Sequence, residues 1–249
     1  MSLSINTNPL SQSTGNNYKA FSSGFDSSLE KISSGKAINR ASDDASGLII
    51  ADSLNSAANS MGQLSRNAVD DISMIQIKEA ALGQATQIIQ EIGQKTIQAS
   101  SDAQTSETRM AIQEDVTASL GALNDLYQNT TYNGKALLSD TPGLAELADM
   151  DLSSVGGAQA AQEAVDSALD TVSASRSALG SSQNQLERDI SNLETQKISA
   201  RSSESQIRDV DLAEEVMNLK QLDLLKQTSA FAQKQAGNVN AQRVATLLG

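Results

Sequence analysis

A chain of 249 residues with a net charge of −12, no cysteine, no histidine and no tryptophan excludes whole classes of chemistry before any motif is sought. Its acidity makes nucleic acid a poor partner, because phosphate must be neutralised by clustered Lys and Arg. Without thiols or imidazoles there are no disulfides, no zinc–thiolate sites and no Ser-His-Asp, Cys-His or HExxH machinery.

The first residues, "MSLSINTNPL", have neither the basic n-region nor the apolar h-region of a cleaved signal peptide. Tyr18, Phe21, Phe25, Leu29 and Ile32 then recur at steps of three, four, four and three, which predicts a helix. Gly35 can end it, and Ser42, Asp43 and Asp44 can start the next. Ile75, Leu82 and Ile89 repeat at seven, with Ile72 and Ile92 on flanking positions. Ile112, Val116, Leu120, Leu123 and Tyr127 form a third stripe. In "NTTYNGKALL" (129–138), Asn133-Gly134 signals a β-hairpin. Residues 139–157 read as a loop punctuated by Pro142, Gly156 and Gly157. Val165, Val172, Leu179, Leu186 and Leu193 hold strict steps of seven, with Leu169 and Ile190 four residues after two of them, the pattern of a coiled-coil seam. A last stripe runs through Leu212, Val216, Leu219, Leu222 and Leu225 to Phe231.

The expected fold is mainly α: about five long helices packed as a coiled-coil-like rod, with one small hairpin. With aromatics at 2%, the apolar content is mostly Ala, Leu, Ile and Val, which suits close packing of helices along their length. A helix of about 30 residues is roughly 45 Å long and leaves little room for a pocket. No long uncharged apolar run occurs, so no membrane span is expected.

Charge is uneven. From Asp140 to Ser175 there are seven acids and no Lys or Arg, whereas residues 1–25 carry only Lys19 and residues 235–249 only Arg243. Two readings follow: solvated loops with frayed ends, or a middle that faces water and ends buried against other copies.

Asp43 and Asp44 could suggest an acid pair, but neighbours on a helix point about 100° apart. At a helix start they cap free N–H groups instead. Asp211 and Glu214 have the spacing of a capping box. Together with Asp209 and Glu215 they lack the glycine of a calcium loop. Asn129-Thr130-Thr131 matches a glycosylation sequon, and no phosphate-cradling glycine motif is present. No cofactor or metal is expected. A carboxylate-only hydrolase would need an acid pair about 5–10 Å apart across a cleft, and the periodicity offers no cleft.

Two blocks carry a resemblance. "ISSGKAINRASDDASGLIIAD" (32–52), continued by "RNAVDDISMIQIKEAAL" (66–82), is similar to the N-terminal signature of bacterial flagellin. "LGSSQNQLERDISNLETQKISARSSESQIRDVDLAEEV" (179–216) resembles its C-terminal signature. The match covers residues 1–138 and 160–249, in the right order.

The resemblance implies that the two ends pair in an inner helical domain beside a second helical domain that carries the hairpin. It places residues 1–40 and 206–249 in the first, 41–138 and 158–205 in the second, and leaves 139–157 as an acidic loop in place of outer domains. It implies a secreted, self-assembling filament subunit, with Phe21, Phe25, Leu29, Ile32, Leu219, Leu222, Leu225 and Phe231 packing the inner core. Ile75, Leu82, Ile89, Val165, Val172, Leu179, Leu186 and Leu193 would form the intrachain seam. Implied partners are other copies of itself, the flagellar export apparatus and its chaperone, and the cap and hook-junction proteins. The alternative within this class is a hook–filament junction protein or a minor filament subunit. In the segment that vertebrate flagellin receptors recognise, this chain has Ile88, Ile92 and Asp115 where the recognised form has Arg, Leu and Glu, which predicts weak recognition. Pro9 and the final Gly249 also depart from the family pattern.

Overall fold

In a computed structural model of the chain, residues 8–138 and 142–248 are described. The first seven residues, the opening of the acidic loop at 139–141 and Gly249 lie outside the described residues. Packing divides the chain into a terminal unit, Met1–Asn59 with Lys197–Gly249, and a second unit, Ser60–Gln196. The expected boundaries at 40/41 and 205/206 instead fall close to the breaks between successive helices.

In the terminal unit, α1 (Pro9–Ser34) packs along α6 (Leu212–Leu248). The pair is antiparallel: Asn8 Nδ2 donates to the Ala236 carbonyl at 3.0 Å, while Asn218 Nδ2 donates to Ser28 Oγ at 3.3 Å. Asn8 caps α1 by accepting from the Ser11 N–H at 3.2 Å. Pro9 sits at the first helical position, where its missing N–H costs nothing. Gly35 ends α1 at φ 70°, in the left-handed region that a side chain would disfavour. Ser28 is the one buried residue of α1. A two-helix pair can shield only its facing stripe.

The second unit holds the larger core. Its elements are the remainder of α2 (Ala45–Ala99), then α3 (Ser106–Asn129), strands β1 (Thr131–Tyr132) and β2 (Lys135–Ala136), α4 (Leu144–Leu147) and most of α5 (Val155–Arg208). Thr131 pairs with Ala136 and Tyr132 with Lys135 in antiparallel register. Asn133 and Gly134 turn the chain at φ 49° and 77°, as a two-residue hairpin of matching twist requires.

Leu82 and Ile89 of α2, Val165 and Val172 of α5, and Val116, Leu123 and Tyr127 of α3 are all at most 1% exposed in one cluster. Ile75, Leu179, Leu186 and Leu193 are only half-buried. The difference is one of layers: where α3 and α4 join the α2–α5 pair the seam is closed on every side. Arg176 bridges the pair by donating from Nε and Nη2 to Glu79 Oε1 at 2.9 and 2.6 Å. That ion pair is half-exposed and contributes little beyond register.

From Pro142 onward, the expected loop at 139–157 is more structured than its composition suggests. Tyr127 Oη donates to the Pro142 carbonyl at 2.7 Å. After the single turn of α4, Gln113 grips the chain twice: Nε2 donates to the Met150 carbonyl at 3.1 Å, and Oε1 accepts from the Leu152 N–H at 2.7 Å. Leu147 and Leu152 are fully buried, while Glu146, Asp149 and Asp151 face water. Helix α5 already begins at Val155, so Gly156 and Gly157 are helical. The acids hid an apolar spacing, Leu144, Leu147, Met150 and Leu152, that closes the end of the core.

Candidate assembly surface and helix junction

The two acids of "SDDASG" do different jobs within the terminal unit. Asp43 Oδ2 accepts from the main-chain N–H groups of Arg40 and Asn39 at 2.9 and 3.0 Å, drawing the loop before α2 into a turn. Those donors, Arg40's first, hold its carboxyl below the ordinary carboxylate range. Asp44 Oδ1 accepts from Ser46 and Gly47 at 3.0 Å each, at the start of α2. Gly47 lets this cap sit close: a Cβ there would lie 2.5 Å from Asp44 Oδ2 and 2.7 Å from Ile38 Cδ1, so both side-chain ends would have to shift.

Across from this turn, the link between α5 and α6 is built on Asp211. Its Oδ1 accepts from the N–H groups of Ala213 and Glu214 at 2.9 and 3.2 Å. Glu214 supplies its main-chain N–H there, and its side chain is exposed. The two links are stitched by main-chain bonds, Ala37 N–H to the Arg208 carbonyl at 2.7 Å and Val210 N–H to the Gly35 carbonyl at 3.1 Å. Arg208 adds Nε to the Ile38 carbonyl at 3.2 Å and Nη1 to Asp52 Oδ1 at 3.1 Å. Residue-by-residue reading missed Arg208 as an organiser, although it lies inside the C-terminal signature block. Its signal was a lone cation beside two acids in "RDVD". Among the described residues, no group of three or more Asp or Glu is placed to hold a metal ion.

The terminal unit leaves much of its apolar surface open. Phe21, Phe25, Ile32, Leu219, Leu222 and Leu225 are half-buried between α1 and α6. The Lys226 Nζ stands 4.8 Å from the centre of the Phe25 ring. Leu29 is 50% exposed, Met217 66%, Leu224 64% and Phe231 71%. Phe231 and Val239 border a groove of about 340 Å³ with Leu10 and Thr14. In the second unit, Ile92 is fully buried and Ile88 is packed against the same core. Asp115 is exposed and pairs with Lys95 Nζ at 2.8 Å.

These features define a helical structural protein whose terminal segments pair through a half-covered apolar stripe. Comparison with known proteins gives the family. Residues 5–142 match the bacterial flagellin N-terminal helical region, and residues 162–248 match the bacterial flagellin C-terminal helical region. A flagellin of Halalkalibacterium halodurans is 33% identical over 246 residues, which cover 88% of this chain and 90% of that protein. The flagellar filament 31.3 kDa core protein of Treponema maltophilum is 28% identical over 260 residues, covering 88% of this chain and 91% of that one. Flagellin A of Helicobacter pylori is 46% identical over 112 residues, 45% of this chain but 22% of its own. The chain belongs to the bacterial flagellin family: it is a structural subunit of the extracellular flagellar filament, not an enzyme.

Proposed function

We propose that the open apolar stripe of α1 and α6 is the subunit contact of the filament, and that the terminal segments gain their order on incorporation. The observation that carries this is the exposure of Leu10, Met217, Leu224 and Phe231, at 60, 66, 64 and 71%, on helices that carry few charges at their outer ends. Ser, Asn and Gly in residues 11–17 are weak helix formers. Neighbouring copies offset the entropy of ordering them by removing this surface from water. Phe21, Phe25, Leu29, Ile32, Leu219, Leu222 and Leu225 complete the same packing in the assembled state. No observation favours the hook–filament junction reading.

The test is seeded polymerisation of purified monomer on short filament fragments, followed by sedimentation and far-UV circular dichroism. Long filaments with a rise in helicity are expected. A chain that polymerises without gaining helicity would overturn folding on assembly.

Passage through the flagellar export apparatus, with a chaperone on the C-terminal segment and contacts to cap and junction proteins, belongs to the same reading. So does poor recognition by vertebrate flagellin receptors. Ile92 is enclosed in the core, Ile88 offers no cation, and the Asp115 carboxylate is already paired with Lys95. Purified monomer should activate a receptor reporter far less than a flagellin carrying Arg at the position of Ile88. Equal activation would sink that part of the proposal.

A further inference from the structure

The turn that closes the hairpin is also a reactive dipeptide. Asn133-Gly134 is the sole Asn-Gly step in the sequence. Both residues are exposed, and the ladder pairs Thr131 with Ala136 and Tyr132 with Lys135, leaving the Gly134 N–H outside the pairing. A side chain at residue 134 would meet nothing within 4 Å, so the turn is uncrowded.

We propose that Asn133 is a site of spontaneous deamidation in this chain. The Gly134 main-chain nitrogen, having given its proton to hydroxide, attacks Asn133 Cγ. The new C–N bond closes a succinimide ring while the Cγ–Nδ2 bond breaks, and ammonia leaves with a proton taken from water. Water then opens the ring. Cleavage at Cγ gives aspartate, and cleavage at the main-chain carbonyl gives isoaspartate. Nothing is oxidised or reduced, and water is the only co-reactant.

Ring closure needs rotation about the Asn133 Cα–C and Cα–Cβ bonds to bring the Gly134 nitrogen onto Cγ, and the Tyr132–Lys135 pairing restrains the main-chain rotation, so the rate follows opening of the turn. Strands of two residues hold that turn weakly, because a two-stranded hairpin is marginal and loop tips open at low cost. Asn55 and Asn59, each followed by Ser, are internal controls. They lie within α2, with Asn55 Nδ2 on Glu204 and Asn59 Nδ2 on Asn55 Oδ1 at 2.8 Å. The product matters locally. It sets a new carboxylate beside Lys135, and isoaspartate adds a main-chain methylene to a loop whose twist depends on two residues.

The experiment is incubation of purified monomer at mildly alkaline pH, with and without denaturant, followed by peptide mapping and enzymatic isoaspartate detection. The replacement of NH₂ by OH should appear first in the peptide containing Asn133. Its native rate should fall within about tenfold of the denatured rate, which corresponds to ~1.4 kcal/mol of local opening. Asn133→Asp, which keeps a residue tolerant of the left-handed region, should release no ammonia from that peptide. Conversion at Asn55 or Asn59 ahead of Asn133 would overturn the proposal. So would a turn peptide that stays intact in the native monomer while the denatured chain converts.

Discussion

Two adjacent aspartates at the head of a helix can be told apart only by where their oxygens point. Asp43 turns back to the loop and Asp44 forward to the helix, so neither is left to form an acid pair. The same attention to surroundings gives a pH response at Tyr127. Its burial, helped by the charge of Glu146, pushes the phenol up to about 12 from an ordinary value of 10.0. The neutral form is therefore favoured by folding. Its contribution is whole below pH 10 and is lost as the pH rises from there towards 12. A difference titration of wild type against Tyr127→Phe isolates this phenol by its tyrosinate absorbance. Ionisation near 12 accompanied by loss of helicity is expected. Ionisation at the ordinary value with the fold intact would contradict it.

Between elements, the stretch between α4 and α5 is gripped twice by one glutamine of α3. Gln113 satisfies both a carbonyl and an N–H of a stretch that buries Leu147 and Leu152. Gln113→Leu keeps the volume but strands the Leu152 N–H and the Met150 carbonyl. A loss of about 2–3 kcal/mol is expected from two unmet main-chain groups. Chemical denaturation of the second unit checks the size, and hydrogen exchange at the Leu152 amide checks the cause. An unchanged midpoint would mean that water replaces both bonds freely.

For the whole molecule, the terminal stripe should matter to assembly and not to the monomer. Met217→Asp and Phe231→Asp place a charge on side chains that are 66 and 71% exposed. Each should leave monomer circular dichroism unchanged within a few per cent, because surface substitutions cost within ±0.5 kcal/mol. Each should reduce sedimentable polymer at least tenfold, equivalent to about 1.4 kcal/mol or more per added subunit. Sedimentation of the seeded mixture separates the cases. Full polymer yield from both variants would remove the stripe from the contact.

Periodicity was enough for the long helices and the seven-residue spacing of Leu82, Ile89, Val165 and Val172, and the Asn133-Gly134 dipeptide for the hairpin, because helix and turn preferences are local and side-chain period is written along the chain. The two signature blocks were likewise legible as sequence. Three things were decided only in three dimensions. The heptad positions Ile75, Leu186 and Leu193 are half-buried where Leu82 and Val172 are sealed, since burial depends on how many layers meet at a point. The acidic stretch became a closure of the core, since Gln113 reaches it from about 40 residues away, across a separation that no local pattern records. Arg208 became the organiser of the junction because Ile38 and Asp52, more than 150 residues earlier, are brought beside it by the meeting of the two ends of the chain.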